Sequence, residues 1–132
     1  MITVYVDGSF IPETKEGSYG MIIKGKEETV KIAGLLGKIR DNNIAEYGAI
    51  IMALRELKTM GYIEKNITLY TDSQIILKQL ANKIPPPLNK IHSSWFRQAL
   101  NLVKTFSTCA IDFIGSSSNP AHTVARNALN LE

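Results

Sequence analysis

The hydrophobic pattern of this chain changes its period near residue 43, and this change constrains the fold more than any other feature. Before that point, runs rich in β-branched and aromatic residues predict three strands, at 2–6, 19–25 and 28–36. After it, apolar residues recur at helical spacing and predict a long helix over 43–60. A chain that begins with three strands and then changes to a helix favours a fold in which a sheet forms first and helices cover it.

Strands and helices alternate through the rest of the chain. The sequence predicts strands at 67–71 and 110–114, and helices at 73–81, 89–105 and 120–129. The order is therefore β-β-β-α-β-α-α-β-α. Hairpins join strands that are close in sequence, whereas right-handed helical crossovers join parallel strands. We expect an α/β fold with a mixed sheet that has helices on its faces.

Length and composition narrow the class of protein. The chain has 132 residues and a net charge of +3, which predicts a single domain over 1–132 and is compatible with a polyanionic partner. No apolar run approaches the ~20 residues that span a bilayer, so we expect no membrane association. The N-terminal segment lacks the pattern of a signal peptide, and the one cysteine, Cys109, fits a reducing compartment. These features predict a cytoplasmic protein.

Three acidic residues occupy positions that indicate a metal site. Asp7 follows the first predicted strand and Asp72 follows the fourth, and ligand sites in open α/β sheets lie at the carboxyl ends of strands. Glu46 lies in the first turn of the long helix, at the edge of its apolar face. Each acid alone is explained as readily by a turn or by the helix dipole. Together they would repel one another unless a cation such as Mg²⁺ or Mn²⁺ neutralised them.

Four segments resemble the motifs of type 1 ribonuclease H, a branch of the ribonuclease H-like superfamily. They are VYVDGS (4–9), NNIAEYGAI (42–50), LYTDSQ (69–74) and NPAHTVARNAL (119–129). The segments occur in the family's order and cover essentially the whole chain, and the second and third are the most specific. The resemblance implies a ribonuclease H-like fold, with a five-stranded mixed sheet whose second strand is antiparallel to the others. It also implies a hydrolase that cuts the RNA strand of RNA/DNA hybrids.

The resemblance assigns a catalytic and metal-binding role to four residues. Asp7 would bind two divalent ions, and Glu46 and Asp72 would complete the ion near the leaving group. His122 would hold the ion that activates the attacking water. The implied cofactors are two Mg²⁺ or Mn²⁺ ions, ~3.5–4 Å apart on either side of the scissile phosphate.

His122 is a departure from the family, which usually has an aspartate at this position. Imidazole is neutral when it binds a metal, and it binds Mn²⁺ more readily than Mg²⁺. Other branches of the superfamily, including some retroelement and plant-type domains, also carry a histidine here. We therefore expect activity that is weak or that prefers manganese. An exposed histidine in a first helical turn, with no metal role, is the alternative.

The same motifs predict the substrate-binding residues. Asn42, Asn43 and Gln74 match polar residues that in the family contact the RNA strand near its 2′-hydroxyls, the group that distinguishes RNA from DNA. Asn43 could also be the N-cap of the long helix. The expected set adds three further motif residues and two basic residues of the helix at 89–105: Gly8, Ser9, Ser73, Lys90 and Arg97.

The two basic residues belong to a stripe on that helix. Lys90, Arg97 and Lys104 are seven residues apart, which is nearly two helical turns, so they share one face. Trp95 and Phe96 lie between them in sequence. The stripe could follow the phosphates of the DNA strand, or it could be a solvated helix face whose aromatic residues pack inward.

The sequence thus predicts an endonuclease whose partner is an RNA/DNA hybrid, and it leaves any protein partner unknown. The alternative is a ribonuclease H-fold module that has lost catalysis and that binds nucleic acid or a protein partner. His122 is the feature on which the two hypotheses differ.

Overall fold

A five-stranded mixed sheet organises the computed structural model, which describes residues 1–129. The elements are β1 (Ile2–Ile11), β2 (Glu16–Lys24), β3 (Thr29–Lys38), α1 (Asn42–Thr59), β4 (Asn66–Thr71), α2 (Gln74–Leu80), α3 (Lys90–Thr105), β5 (Thr108–Phe113) and α4 (Ala121–Ala128), with a short 3₁₀ turn at Ser116–Ser118. The predicted order of strands and helices is confirmed.

The strand order in the sheet is β3-β2-β1-β4-β5. β2 pairs antiparallel with both β1 and β3, whereas β1–β4 and β4–β5 are parallel pairs. The second strand therefore runs opposite to the other four, as the sequence predicts. The parallel strands β1, β4 and β5 have their carboxyl ends at the same edge of the sheet, where ligand sites of open α/β sheets are found.

The prediction that the first strand ends at Asp7-Gly8 is wrong. β1 continues to Ile11, with Asp7 paired to Gly20 and Gly8 paired to Tyr19 of β2. Gly8 is needed because α1 crosses it closely: a Cβ at this position would lie 2.3 Å from the carbonyl carbon of Ala45. The glycine therefore serves a helix–sheet contact in the middle of a strand, and not a turn.

The helices lie on both faces of the sheet. Gly8 faces α1, and Gly20, which pairs with the neighbouring Asp7, faces α4 on the opposite side. A Cβ at Gly20 would lie 2.4 Å from the backbone nitrogen of Ala125, so α4 sits directly on β2. The hydroxyl of Ser18 in β2 donates to the carbonyl oxygen of Ala125. These contacts fix α4, and with it the start of the helix, beside β1.

The main core lies between the sheet and α1. Val4, Val6 and Leu69 of the strands are buried against Ile50 and Leu54 of the helix. Burying one such side chain contributes about 1.5–3 kcal/mol, so this interface dominates the stability of the fold. Within residues 1–129, no helix is both long and apolar enough to cross a membrane.

Candidate active site

Three carboxylates from separate elements converge at the carboxyl edge of the sheet. Asp7 lies on β1, Glu46 lies in α1, and Asp72 directly follows β4. Each contributes one carboxylate oxygen to a group whose atoms all lie within 4.8 Å of one another. Asp7 and Glu46 are buried, and Asp72 is half-buried. The structure therefore brings together the three acids that the sequence singles out.

The backbone of Gly8 holds two of these carboxylates. Its N–H donates to Oε1 of Glu46 at 2.6 Å and also lies 3.0 Å from Oδ1 of Asp7. This bridge is possible because the missing side chain of Gly8 lets the first turns of α1 approach β1. The glycine of the Asp-Gly pair is therefore part of the construction of the site.

Asn119, at the start of the segment that leads into α4, holds the third carboxylate. Its buried amide nitrogen donates to the carbonyl oxygen of Val6 at 2.8 Å and to Oδ2 of Asp72 at 3.3 Å. Its amide oxygen accepts from the backbone N–H of Ala121 at 3.0 Å. One side chain thus ties β1, Asp72 and the first turn of α4 to one another.

The carboxylates raise one another's pKa. The pKa of Glu46 rises to about 10, first because the group is buried and then because of the negative charges of Asp7 and Asp72. Burial, followed by the charge of Asp72, also raises the pKa of Asp7. Among the described residues, the only basic side chain within 4.0 Å of these acids is His122. Buried oxygen ligands that lack a positive partner fit a divalent cation.

His122 lies beside this group on the first turn of α4. Its Nδ1 is 2.9 Å from Oδ2 of Asp7, and its side chain is 52% exposed. The ring does not belong to the set of mutually close ligand atoms, which among the described residues consists of the three carboxylates alone. The structure therefore brings His122 to Asp7 but leaves it at the rim of the acidic group.

An open groove surrounds the acids. One cavity of about 260 Å³ contains the acids and the rim residues Gly8, Ser9, Phe10, Asn42, Ser116, His122 and Arg126. A second cavity of about 480 Å³ shares Asn42, Glu46 and Asp72 with the first. It extends the groove along Asn43, Ser73, Gln74, Ile75 and Phe113. The three carboxylates therefore lie in the middle of a groove that is open on both sides, and this shape suits an extended ligand.

Most of the predicted substrate-binding residues line this groove, and two details differ from expectation. Asn43 is not the N-cap of α1, because Oδ1 of Asp41 accepts the capping hydrogen bond from Ile44 at 3.1 Å. The side chain of Asn43 is therefore not needed for capping. Ser73 is the N-cap of α2, and its hydroxyl oxygen accepts from Ile76 at 3.3 Å.

Lys90 and Arg97 lie outside the groove. They line a separate surface cavity of about 550 Å³ along α3, together with the exposed Leu88. Phe96 of the same helix is buried, so this aromatic packs inward. The structure thus separates the two basic residues from the acidic group.

Sequence reasoning missed three groove residues. Arg126 lies four residues after His122, and this spacing puts both on one face of α4. No carboxylate of the described residues lies within 4.0 Å of Arg126. Asn119 could have been found from its place before the helix-starting proline. Ser116 sits in an irregular loop, and no sequence pattern marks it.

Comparison with known proteins identifies the family. Residues 5–128 match the model of a family described as reverse transcriptase-like. This chain belongs to that family. It is a member of the ribonuclease H-like superfamily, in agreement with the resemblance of its motifs.

Two curated relatives are similar over part of their length. "Uncharacterized protein YpeP" of Bacillus subtilis (strain 168) is 31% identical over 117 residues, which cover 81% of this chain and 51% of that protein. "Ribonuclease H" of Trichodesmium erythraeum (strain IMS101) is 34% identical over 76 residues, covering 58% and 45% respectively. The chain therefore spans about half the length of the curated relatives that it matches.

Solved structures share the fold over nearly the whole chain. RNase H1 from the halophilic archaeon Halobacterium salinarum NRC-1 is 26% identical, with a TM-score of 0.85 and coverage of 98% of this chain and 97% of that one. LC11-RNase H1, solved in complex with an RNA/DNA hybrid, gives a TM-score of 0.86 at 20% identity, with the same coverage. At that identity the second similarity concerns the fold alone.

Proposed function

We propose that this protein is a metal-dependent endonuclease that hydrolyses the RNA strand of RNA/DNA hybrids. The observation that carries the proposal is the convergence of Asp7, Glu46 and Asp72 in an open groove, with no Lys or Arg to neutralise them. The name and fold of the ribonuclease H relatives support the same activity. Because the chain spans half the length of its curated relatives, the proposal concerns the matched region, 5–128.

The metal ligands would be the three carboxylates and His122. Two Mg²⁺ or Mn²⁺ ions bound there would polarise the scissile phosphate and lower the pKa of an attacking water. The chain's own contribution is to keep the ligands in place before substrate arrives: Gly8 orients Glu46 and Asp7, and Asn119 orients Asp72. The neutral imidazole of His122 is the basis for expecting activity that is weak or that prefers manganese.

The polar residues along the groove would bind the RNA strand. Asn42, Asn43 and Gln74 offer amide donors and acceptors beside the acids, which suits ribose 2′-hydroxyls. Gly8 and Ser9 extend this surface on the other side of the acids, and Ser73 fixes the start of α2. Lys90 and Arg97 would contact phosphates of the DNA strand outside the groove, on the exposed face of α3. A cytoplasmic location and a single domain over 1–132 stay predictions.

The alternative function is binding without cleavage. The half-exposed position of His122, outside the group of mutually close carboxylates, favours it. A protein of this kind would retain the groove and bind nucleic acid or a protein partner, but it would not hold the metal on which hydrolysis depends.

One cleavage assay separates the two functions. A labelled RNA/DNA hybrid is incubated with the wild-type protein, Asp7→Asn or His122→Asp, in Mg²⁺ and in Mn²⁺. The proposal predicts cleavage of the RNA strand by the wild type, loss of cleavage in Asp7→Asn, and retained or increased activity of His122→Asp in Mg²⁺. Asp112→Asn is the matched control, because Asp112 is an exposed acid on β5 outside the groove.

The absence of cleavage in both metals, with His122→Asp also inactive, would contradict the endonuclease proposal. Binding of the hybrid that survives without cleavage would then support the binding module. A DNA duplex of the same sequence tests whether recognition depends on the RNA strand.

A further inference from the structure

A carboxylate just before α1 makes two hydrogen bonds that join α1 to α3. Oδ1 of Asp41 accepts from the backbone N–H of Ile44 at 3.1 Å and so caps α1. Oδ2 of the same side chain lies 2.7 Å from Nε2 of His92, in the first turn of α3. The two oxygens of one carboxylate therefore serve two helices at once.

His92 is itself held in place by the start of α3. Asn89 caps that helix, and its side-chain oxygen accepts from the backbone N–H of His92 at 3.3 Å. The side chain of His92 is only 20% exposed, and that of Asp41 is 36% exposed. Water therefore competes weakly for the contact, and the His92–Asp41 pair is better ordered than a pair on an open surface.

The residues that follow Asp41 are the ones that line the groove. Asn42 and Asn43 are exposed in the first turn of α1, and Glu46 lies one turn further along the same helix. A second contact between α1 and α3, from Arg55 to Gln98 at 3.5 Å, lies in the part of α1 that is remote from the groove. The His92–Asp41 pair is thus the polar contact that fixes α1 where it meets the substrate groove.

We propose that Asp41 and His92 are positioning residues for recognition of the RNA strand. The pair fixes the first turn of α1 against α3, so that Asn42 and Asn43 keep one orientation towards the ribose 2′-hydroxyls. This inference rests on the proposed function, in which these asparagines bind the RNA strand. A pair with a structural role alone would change the stability of the protein and leave its discrimination between ribose and deoxyribose unchanged.

The test is a thermodynamic cycle between the protein and the substrate. All proteins carry Asp7→Asn, so that binding is measured without cleavage. Each binds a hybrid and the same hybrid with one RNA nucleotide replaced by its 2′-deoxy form, at each position in turn. Asp41→Ser keeps an acceptor for the helix cap but is too short to reach His92, and His92→Ala removes the other partner. Asp41→Asn and His92→Gln are the conservative variants.

The control is Arg55→Gln, which breaks the other polar contact between the same two helices. In the parent protein, removal of a contacted 2′-hydroxyl is expected to weaken binding about 3- to 10-fold, the effect of one lost hydrogen bond. In Asp41→Ser and His92→Ala the same removal is expected to weaken binding less than about 2-fold. The conservative variants recover part of the parent's discrimination, and Arg55→Gln retains all of it.

Two results would overturn the inference. If Asp41→Ser and His92→Ala discriminate as well as the parent, the pair does not position the asparagines, while the proposed function stands. If the parent itself binds with no dependence on any 2′-hydroxyl, recognition of the RNA strand fails, and the inference fails with it. Loss of discrimination in Arg55→Gln to the same extent would also overturn it, since any weakening of the α1–α3 contact would then suffice.

Discussion

At the scale of single residues, Glu46 carries the largest electrostatic cost in this molecule. Its side chain is buried, and its one hydrogen-bond donor among the described residues is the N–H of Gly8. Folding raises the pKa of Glu46 from 4.5 to about 10, because burial and the neighbouring acids disfavour its charged form. In the metal-free protein, the contribution of Glu46 to stability is therefore complete below about pH 4.5 and is lost as the pH rises towards 10.

Glu46→Gln is expected to stabilise the metal-free protein. The amide keeps an acceptor for Gly8 but carries no charge, so the free energy of unfolding at pH 8 should rise by about 1–3 kcal/mol. The decline in stability between pH 5 and 9 should become shallower, and cleavage should be lost. Denaturant unfolding in the presence of a chelator measures the change, and Glu27→Gln, on the exposed hairpin, is the control. Equal stability of the Glu46→Gln variant and the wild type would contradict this explanation.

Asn119→Ala is expected to weaken both stability and activity. The substitution removes the donor to Val6 and Asp72 and leaves a buried carbonyl oxygen without its partner, which costs about 1–3 kcal/mol. Asp72 also loses a group that orients it, so kcat for the hybrid should fall further than the loss of folded protein explains. Asn127→Ala, an exposed position on α4, should change neither quantity. If kcat is unchanged in Asn119→Ala, Asp72 does not depend on this contact.

The acids at these positions are predictable from sequence, but their supports are not. Asp7, Glu46 and Asp72 stand out because their chemistry and their positions coincide. Asn119 is missed because an asparagine before a helix is ordinary capping chemistry, and its long-range contacts exist only once β1, β4 and α4 have assembled.

At the scale of elements, the position of α4 depends on β2. Gly20 lies under α4, and a Cβ there would meet the backbone of Ala125 at 2.4 Å and the carbonyl oxygen of Ala121 at 3.0 Å. Both neighbours are backbone atoms, which cannot rotate away as a side chain could. Any side chain at Gly20 must therefore move the helix that carries His122.

Gly20→Ala is expected to displace α4 and to destabilise the protein by several kcal/mol, in the range of overpacked cores. If α4 shifts while the protein still folds, Asp7 loses its contact with His122, and the preference for Mn²⁺ over Mg²⁺ should change more than the affinity for the hybrid. Thermal unfolding and cleavage in each metal measure the two effects. Gly25→Ala is the control, because its nearest atom would be an ordinary 3.7 Å away. A Gly20→Ala protein as stable as Gly25→Ala would contradict the proposed steric contact.

The elements themselves are largely predictable, since all the predicted strands and helices occur in the predicted order. The largest error concerns β1, where Asp7-Gly8 has the composition of a turn. Propensity favours a turn there, but the antiparallel pairing with β2 and the passage of α1 over Gly8 outweigh it. Such a tertiary contact leaves no signal in a local pattern.

At the scale of the whole molecule, the acidic groove and the basic stripe are distinct surfaces. The groove lies at the carboxyl edge of the sheet, whereas Lys90 and Arg97 lie on the exposed face of α3, outside the cavities that contain the acids. The acids repel phosphates in the absence of metal, so basic residues elsewhere must supply the attraction for nucleic acid. A division of labour follows, in which the groove selects and cuts the RNA strand and α3 contributes affinity.

This division predicts how Lys90→Gln and Arg97→Gln affect binding to a hybrid. Each substitution should lower the slope of log affinity against log salt by about one and raise KM, because one phosphate contact and its released counterion are lost. The value of kcat and the dependence on individual 2′-hydroxyls should stay as in the wild type, since neither residue reaches the groove. Lys65→Gln is the matched control, because it precedes β4 and so lies at the opposite edge of the sheet from Asp72. If Lys65→Gln lowers the slope as much as Lys90→Gln does, the attraction comes from net charge alone and α3 is an ordinary solvated face.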